Sequence, residues 1–408
     1  MIGDWLNRNR VIGAVGAAAI GKAAVGFVFS TIIVSQLEAT VAAAFFQILF
    51  LQAMFVTFVS ASGFVRGVQA HEVDGNSSGH IRLFLRFSTV TALAAFALSE
   101  FALPDTYLGT DSAEQRLVIA LLLVGGVATG ANAIIQGSIV RRYDRAQVFL
   151  VPLAASGIAL ILLGLFWQRA SPVMLAAVWL SFQVLTPVTL LAAFPAAREL
   201  LAAAFRTKGA SAVEMATIRT GFANVFNSGA VFAFREVWRL AVPAEMAALT
   251  FFIVRIFEMI AQMAYQLASS APSFIDRFNR SVLRAVEERR AAVTTAFLLL
   301  SILGLIGMAT LEPLGMQVAD AAILITAELL ILPAKTAAAI ALVSLLFHTD
   351  QDRYFITLGA TAVAVLILAF SVDFANSLLA LQIMNLTTIV IILAMFVFLG
   401  RPTARLEE

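Results

Sequence analysis

Six charged side chains stand inside the long apolar runs of this 408-residue sequence: Lys22, Glu245, Arg255, Glu258, Glu328 and Lys335. If those runs cross a membrane, each charge is costly to bury. Such charges are usually retained because they line a substrate or ion path, or because they pair with one another. The sequence therefore predicts that its chemistry is binding or transport within a membrane.

Position and spacing along a helix allow simple geometric arguments for five of these residues. Lys22 lies near the middle of the first apolar run, and we predict that it forms a cationic wall of a central cavity. Glu328 and Lys335 are seven residues apart, which places both on one side of a helix about 10 Å apart. That separation predicts that each has its own partner, either in a cavity or in a structural ion pair with another helix. Arg255 and Glu258 are spaced for an i, i+3 pair, or for solvation at a turn.

Amide and phenol side chains recur in the same apolar runs. They are Gln47, Gln52, Asn132, Gln136, Gln183, Gln262, Tyr265, Gln266 and Asn385. Most such groups in membranes form hydrogen bonds between helices. Collected around one lumen, they would also suit a ligand rich in hydroxyl groups, such as a sugar.

We find no constellation of residues that is typical of an enzyme. The chain has no cysteine, so it offers neither a thiolate nucleophile nor a thiolate metal site. Its histidines, His71, His80 and His348, fall in predicted loops and do not form a helical metal pair. We predict a protein that is not an enzyme and uses no metal or cofactor. The distribution of basic residues, sorted by membrane side rather than in excess, argues against a nucleic-acid partner.

The amino-acid composition predicts what kind of secondary structure positions these residues. The chain is 61% apolar and 13% charged, whereas soluble domains carry about 25% charged residues. We predict an all-α polytopic membrane protein with twelve transmembrane helices. Their ranges are 11–34, 41–65, 83–103, 117–140, 148–167, 173–196, 237–254, 256–274, 291–310, 321–347, 354–372 and 377–399.

The region 236–290 decides the topology. Its apolar part, 240–272, is long for one span and short for two, since a span needs about 20 apolar residues. Basic residues concentrate in cytoplasmic loops. Two helices that meet at a tight turn around Arg255 and Glu258 place 22 of the 27 basic residues on the cytoplasmic side, with three more within or at the edge of the membrane. Only Arg116 and Arg169 then lie outside, so we predict two helices here.

This topology predicts two six-helix lobes of the same orientation, with both termini cytoplasmic. The expected N-lobe is 1–197 and the expected C-lobe is 237–400. Between them, 198–236 reads as a cytoplasmic interfacial linker that contains an amphipathic helix. A cytoplasmic tail, 401–408, ends the chain.

Several sequence motifs resemble those of a known family. They are YQLASSAPSFIDRFNRSVLRAV at 265–286, REVWRLAVPAEM at 235–246, LEATVAAAFFQILF at 37–50, GFVRG at 63–67 and QGSIVRRYDRAQ at 136–147. Together with the topology, they resemble the oligosaccharide or polysaccharide flippases (Wzx-type) of the MOP transporter superfamily, which also contains MATE exporters and lipid II flippases.

The resemblance implies a function in the bacterial cytoplasmic (inner) membrane. It implies export of a polyprenyl-pyrophosphate-linked oligosaccharide by alternating access, with membrane lipids and polysaccharide assembly enzymes as further partners. Lys22, Lys335 and Arg255 would neutralise the pyrophosphate, while Gln47, Asn132, Gln136, Gln262 and Gln266 would line the cavity. A coupling proton would be carried by Glu328, Glu258 or Glu245.

Three other functions remain open at this point. A cation-coupled multidrug exporter of the same superfamily would require acidic groups in its lumen. A membrane enzyme of glycan assembly, such as a polymerase or ligase, would require larger outer loops. A scaffold without transport activity would tolerate neutralisation of every charge inside the membrane.

Overall fold

The computed structural model describes residues 2–61, 77–140, 142–206, 215–270, 318–348, 351–371 and 377–399. The regular structure in these ranges is helical. We number the helices α1 (Ile2–Gln36), α2 (Ala39–Ala61), α3 (Ser77–Ala102), α4 (Ser112–Ile139), α5 (Arg145–Leu150), α6 (Leu153–Phe166), α7 (Pro172–Ala193), α8 (Pro195–Arg206), α9 (Met215–Ala241), α10 (Ala244–Ser270), α11 (Val318–His348), α12 (Gln351–Ser371) and α13 (Ser377–Leu399).

Eight segments of the described chain are long and apolar enough to cross a membrane. They are Gly13–Gln36, Ala39–Phe58, Ile81–Phe101, Ser112–Ile139, Arg145–Arg169, Pro172–Ala193, Ala321–Ala339 and Asp352–Ser371. The first six correspond to the first six predicted spans, and the last two overlap the tenth and eleventh. The predicted ninth span, 291–310, lies outside the described residues.

The chain divides into two compact units, Met1–Phe232 and Ala233–Glu408. In the first unit, α4 packs against α2, α3 and α7, while α1 packs against α5 and α6. In the second unit, α11 packs against α10 and α13, and α12 packs against α13. Small residues such as Gly125 and Gly126 on α4 allow the close helix approach that membrane bundles need.

The predicted turn at Arg255 and Glu258 is wrong. Helix α10 runs without interruption from Ala244 to Ser270, and both charged residues lie within it. This segment contains no glycine or proline, so nothing in its backbone chemistry ends a helix there. The break falls instead at Val242–Pro243, because proline donates no backbone hydrogen bond and disfavours helical geometry in the preceding residue.

The chain reverses direction at this break. Trp238 on α9 contacts Phe251 on α10, with ring centroids 5.6 Å apart. Arg235, one turn earlier on α9, pairs with Glu258, about two turns later on α10. The contact that lies further from the break on α9 also lies further from it on α10. This is the contact pattern of an antiparallel hairpin. The bounds of the predicted seventh and eighth spans, 237–254 and 256–274, are therefore wrong, since α10 runs through the expected turn and part of the predicted 198–236 linker belongs to α9.

Candidate functional site

The second unit contains a carboxylate that is completely buried. Glu328 lies on α11 and is 0% exposed. Lys335 Nζ donates to its Oε2 at 2.5 Å. Gln382 Nε2 and Asn385 Nδ2, both on α13, donate to its Oε1 at 3.1 and 3.4 Å. A buried charge is tolerated when it is paired and hydrogen-bonded in this way, so these donors offset the cost of burying the Glu328 side chain.

The expectation that Glu328 and Lys335 have separate partners is wrong, because they form a direct ion pair. Two turns of helix separate them, but both side chains are long and unbranched. The helix contains Pro333 between them, and a proline removes one hydrogen bond from a helix and is a common cause of bending. The two side chains are long enough to bridge two turns on the same side of α11.

A second ion pair joins α9 to α10. Arg235 donates to Glu258, and the arginine side chain is 8% exposed while the glutamate side chain is 41% exposed. Sequence reasoning placed Arg235 in a cytoplasmic linker and paired Glu258 with Arg255. Pro243 is the local signal that could have identified Arg235. Because the helix break falls at this proline, Arg235 lies within α9, close enough to its end to contact α10.

The two ion pairs belong to one electrostatic cluster. Glu258 is influenced by the charges of Arg235, Lys335 and Arg255. Extensive packing of α10 against α11 brings these residues together. We call Arg235, Arg255, Glu258, Glu328 and Lys335 the charged cluster. With three cations and two carboxylates, it has an excess of one positive charge.

Lys22 occupies a different setting in the first unit. It is partly buried near the middle of the Gly13–Gln36 span. Within the described part of the chain, it makes no hydrogen bond or ion pair. Phe29 lies two turns further along the same face of α1 and stacks on Trp179, with ring centroids 4.6 Å apart. Lys22 therefore provides a cation with no anion assigned to it in these ranges.

Near this aromatic stack, three helices share a network of amides. Gln52 on α2 donates to the Leu122 carbonyl of α4 and to Gln183 Oε1 of α7, the latter at 2.9 Å. Trp179 Nε1 donates to Gln52 Oε1, also at 2.9 Å. Sequence reasoning identified both glutamines as polar residues within spans, but it missed Trp179, whose ring gave no signal in an aromatic-rich membrane sequence.

The remaining predicted cavity residues are spread over several places. Gln47 Nε2 and Asn132 Oδ1 are buried without a hydrogen-bond partner in the described ranges. Gln136 Nε2 donates to the Val148 carbonyl at 3.3 Å. Glu245 is exposed in the first turn of α10, away from the charged cluster. Gln262 and Gln266 lie on α10, but their side chains are outside the described residues.

No family model matches this sequence. No curated protein matches it either. Solved structures, however, share its fold. An outward-facing multidrug resistance MATE family transporter of the MOP superfamily aligns with a TM-score of 0.58 at 14% identity, over 95% of this chain and 94% of that one. A MATE structure in the bent conformation aligns with a TM-score of 0.59 at 14% identity, over 96% and 94%.

A third neighbour is a MOP superfamily transporter from Pyrococcus furiosus, which is described as having a binding pocket of reverse polarity that suggests a different function. It aligns with a TM-score of 0.58 at 11% identity, over 95% of this chain and 93% of that one. At such identities the similarity concerns the fold. The chain is an all-α polytopic membrane protein with the fold of MOP superfamily transporters.

Proposed function

We propose that this protein is a membrane transporter that flips a polyprenyl-pyrophosphate-linked oligosaccharide across the cytoplasmic membrane by alternating access. The fold that it shares with MATE and MOP superfamily transporters supports transport in general. The substrate class and the polysaccharide assembly enzymes expected as partners are what the motif resemblance implies, and individual residues support the substrate class.

The observation that carries the proposal is Lys22, which has no anionic partner in the described ranges. A lysine at this depth in a membrane is costly unless an anion or water meets it. A pyrophosphate supplies that anion, while the polyprenyl chain can remain in the surrounding lipid. The charged cluster of the second unit, considered separately, also has more cations than carboxylates.

Buried amides support the sugar part of the substrate. An unsatisfied polar atom in a protein interior costs about 1–3 kcal/mol, so such atoms usually meet water or a ligand. Gln47 and Asn132 each have one in the described part of the chain. Amide groups that can both donate and accept hydrogen bonds suit hydroxyl-rich ligands.

The proposal predicts that the charge of Lys22 is essential. Lys22→Glu should lower flipping of a labelled polyprenyl-pyrophosphate oligosaccharide in proteoliposomes at least ten-fold, because a carboxylate would repel the pyrophosphate. Lys22→Arg should keep most of the activity. In a flippase-deficient strain, Lys22→Glu should fail to complement the defect, whereas Lys22→Arg should complement it.

The control is Arg169→Glu, the same change of charge at an exposed position beyond the end of α6. It should flip the substrate at the wild-type rate. Full activity of Lys22→Glu, with normal insertion into the membrane, would remove Lys22 from the mechanism and the main support for an anionic substrate.

A second candidate is a cation-coupled multidrug exporter. It is favoured by Glu258, whose 41% exposed side chain leaves a carboxylate accessible within α10. Two structural neighbours are described as multidrug resistance MATE family transporters. If this candidate is correct, expression should raise the resistance of a drug-sensitive strain, Glu258→Gln should abolish the gain, and Lys22→Glu should leave it intact.

We further propose that both termini are cytoplasmic, and the absence of native cysteines makes this directly testable. Thr106→Cys lies between α3 and α4, and Glu199→Cys lies on α8; both positions are exposed. In intact cells, a membrane-impermeant maleimide should label Thr106→Cys. It should label Glu199→Cys only after permeabilisation, and the opposite pattern would invert the topology.

A further inference from the structure

Helix α8 lies at one membrane surface of the first unit. It follows α7, which ends at Ala193, after a break at Phe194 and Pro195. It packs against α3, and its buried residues Ala197, Leu200 and Ala204 share a hydrophobic cluster with Ile81 and Phe84 from the start of α3. The end of one span and the start of another define the level of a membrane boundary.

Contacts with the turn between α4 and α5 confirm this position. The backbone N–H of Ala196 donates to the Tyr143 hydroxyl at 3.2 Å. The Tyr143 ring also contacts Phe194, with centroids 4.7 Å apart. The beginning of α8 is therefore anchored to the same surface of the unit as the basic turn between two spans.

The outer face of α8 combines a cavity, two cations and an exposed aromatic ring. A shallow surface cavity of about 590 Å³, largely open to its surroundings, lies along α8 and is lined by Arg198, Glu199, Ala202, Ala203 and Arg206. Both arginines are exposed, and neither pairs with another described residue. Phe205 is 70% exposed beside them. This combination is typical of a helix that lies in a membrane interface, with basic groups at the headgroups and an apolar group towards the acyl chains.

Charge at this end of the unit favours an anionic ligand. Arg82 and Arg86 at the start of α3, and Arg145 at the start of α5, lie at the same surface as α8. The cavity itself has two arginines and one glutamate, which leaves one positive charge in excess. A phospholipid headgroup with a single negative charge balances that excess and carries acyl chains for Phe205 to contact.

We propose that this cavity is a binding site for the headgroup of an anionic phospholipid, with Arg198 and Arg206 binding its phosphate. The site contains neither Lys22 nor any residue of the charged cluster. Because the site lies on α8 at the membrane surface, the proposal does not depend on which substrate is transported. Glu199 limits the affinity, because its carboxylate lies beside the two arginines and repels the phosphate.

The test is a titration of the full-length purified protein with phosphatidylglycerol, and with phosphatidylcholine of the same acyl chains, followed by native mass spectrometry. We expect preferential binding of phosphatidylglycerol to the wild type. Each basic side chain near an anionic headgroup contributes roughly 1 kcal/mol. The double variant Arg198→Gln/Arg206→Gln should therefore bind phosphatidylglycerol roughly 30-fold more weakly, whereas Arg198→Lys/Arg206→Lys should bind it almost as well as the wild type.

Two controls separate this site from the effect of net charge. Arg116→Gln/Arg169→Gln removes two arginines from the opposite end of the unit and should leave binding unchanged. Glu199→Gln should strengthen binding roughly five-fold, a gain that a folding defect cannot produce. Unchanged binding in the α8 double glutamine variant, or equal loss in the opposite-end control, would overturn the proposal. So would displacement of the lipid by millimolar inorganic phosphate, since that result identifies a site for a soluble anion.

Discussion

Lys335→Met is expected to destabilise the protein by about 3–5 kcal/mol, because it leaves the carboxylate of Glu328 buried without its cation. Glu328 is 0% exposed, and Lys335 Nζ lies 2.5 Å from its Oε2. Gln382 and Asn385 still donate hydrogen bonds to the carboxylate, but they provide no positive charge. We expect an irreversible unfolding temperature far below that of the wild type in detergent, with reduced yield from membranes.

The double variant Glu328→Gln/Lys335→Met should recover much of this loss. Removing both charges eliminates the unpaired buried ion, and a buried pair contributes little net stability compared with neutral replacements of similar volume. Glu245→Gln is the matched control, since Glu245 is exposed in the first turn of α10. It should change stability by no more than about 0.5 kcal/mol. A single Lys335→Met variant as stable as the wild type would show that the pair is not what keeps Glu328 in place.

Gly125→Ala is expected to have the second largest effect, through the contact of α4 with α7. A methyl group at Gly125 would collide with Oε1 of Gln183, and it would lie 3.3 Å from Nε2 of Gln52. Overpacking typically costs 1–3 kcal/mol. The displaced Gln183 would also lose its hydrogen bond to Gln52, which adds about 1 kcal/mol. The unfolding temperature should fall accordingly.

Gly157→Ala is the control for this experiment. It makes the same change within α6, where a methyl group would meet nothing within 4 Å. It should be neutral or slightly stabilising, because alanine is about 0.5–1 kcal/mol better than glycine inside a helix. In a double-mutant cycle, Gln183→Ala should reduce the cost of Gly125→Ala by removing the obstructing amide. Equal costs of Gly125→Ala with and without Gln183 would show that the close approach of these residues is not responsible.

The protein's class and the positions of its first six spans could be read from sequence. Hydropathy over about 20 residues is a local property, since each span must satisfy its own backbone hydrogen bonds in lipid. The first six predicted spans accordingly match helices of the structure. The MOP fold was also anticipated, from short motifs and the sorting of arginines.

The break between α9 and α10 shows where this reasoning failed. Arg255 and Glu258 were interpreted as a turn because they interrupt an apolar run, where a charge is costly, and because a turn there sorts the arginines to one side of the membrane. The cost is met instead by partners that are distant in sequence: Glu258 pairs with Arg235, and Lys335 and Arg255 add their charges to its surroundings. The reliable local signal was the proline at 243, which separates α9 from α10.

Local chemistry in the sequence thus determined which segments are helices of membrane length and which residues are too polar for lipid. It did not determine the partners of those residues. Only tertiary structure decided that Glu328 receives donors from α11 and α13, that Gln52 joins α2, α4 and α7, and that Lys22 meets no anion in the described ranges. The physical reason is that hydropathy depends on composition within a single helix, whereas an ion pair or a hydrogen bond depends on which helix faces meet after folding.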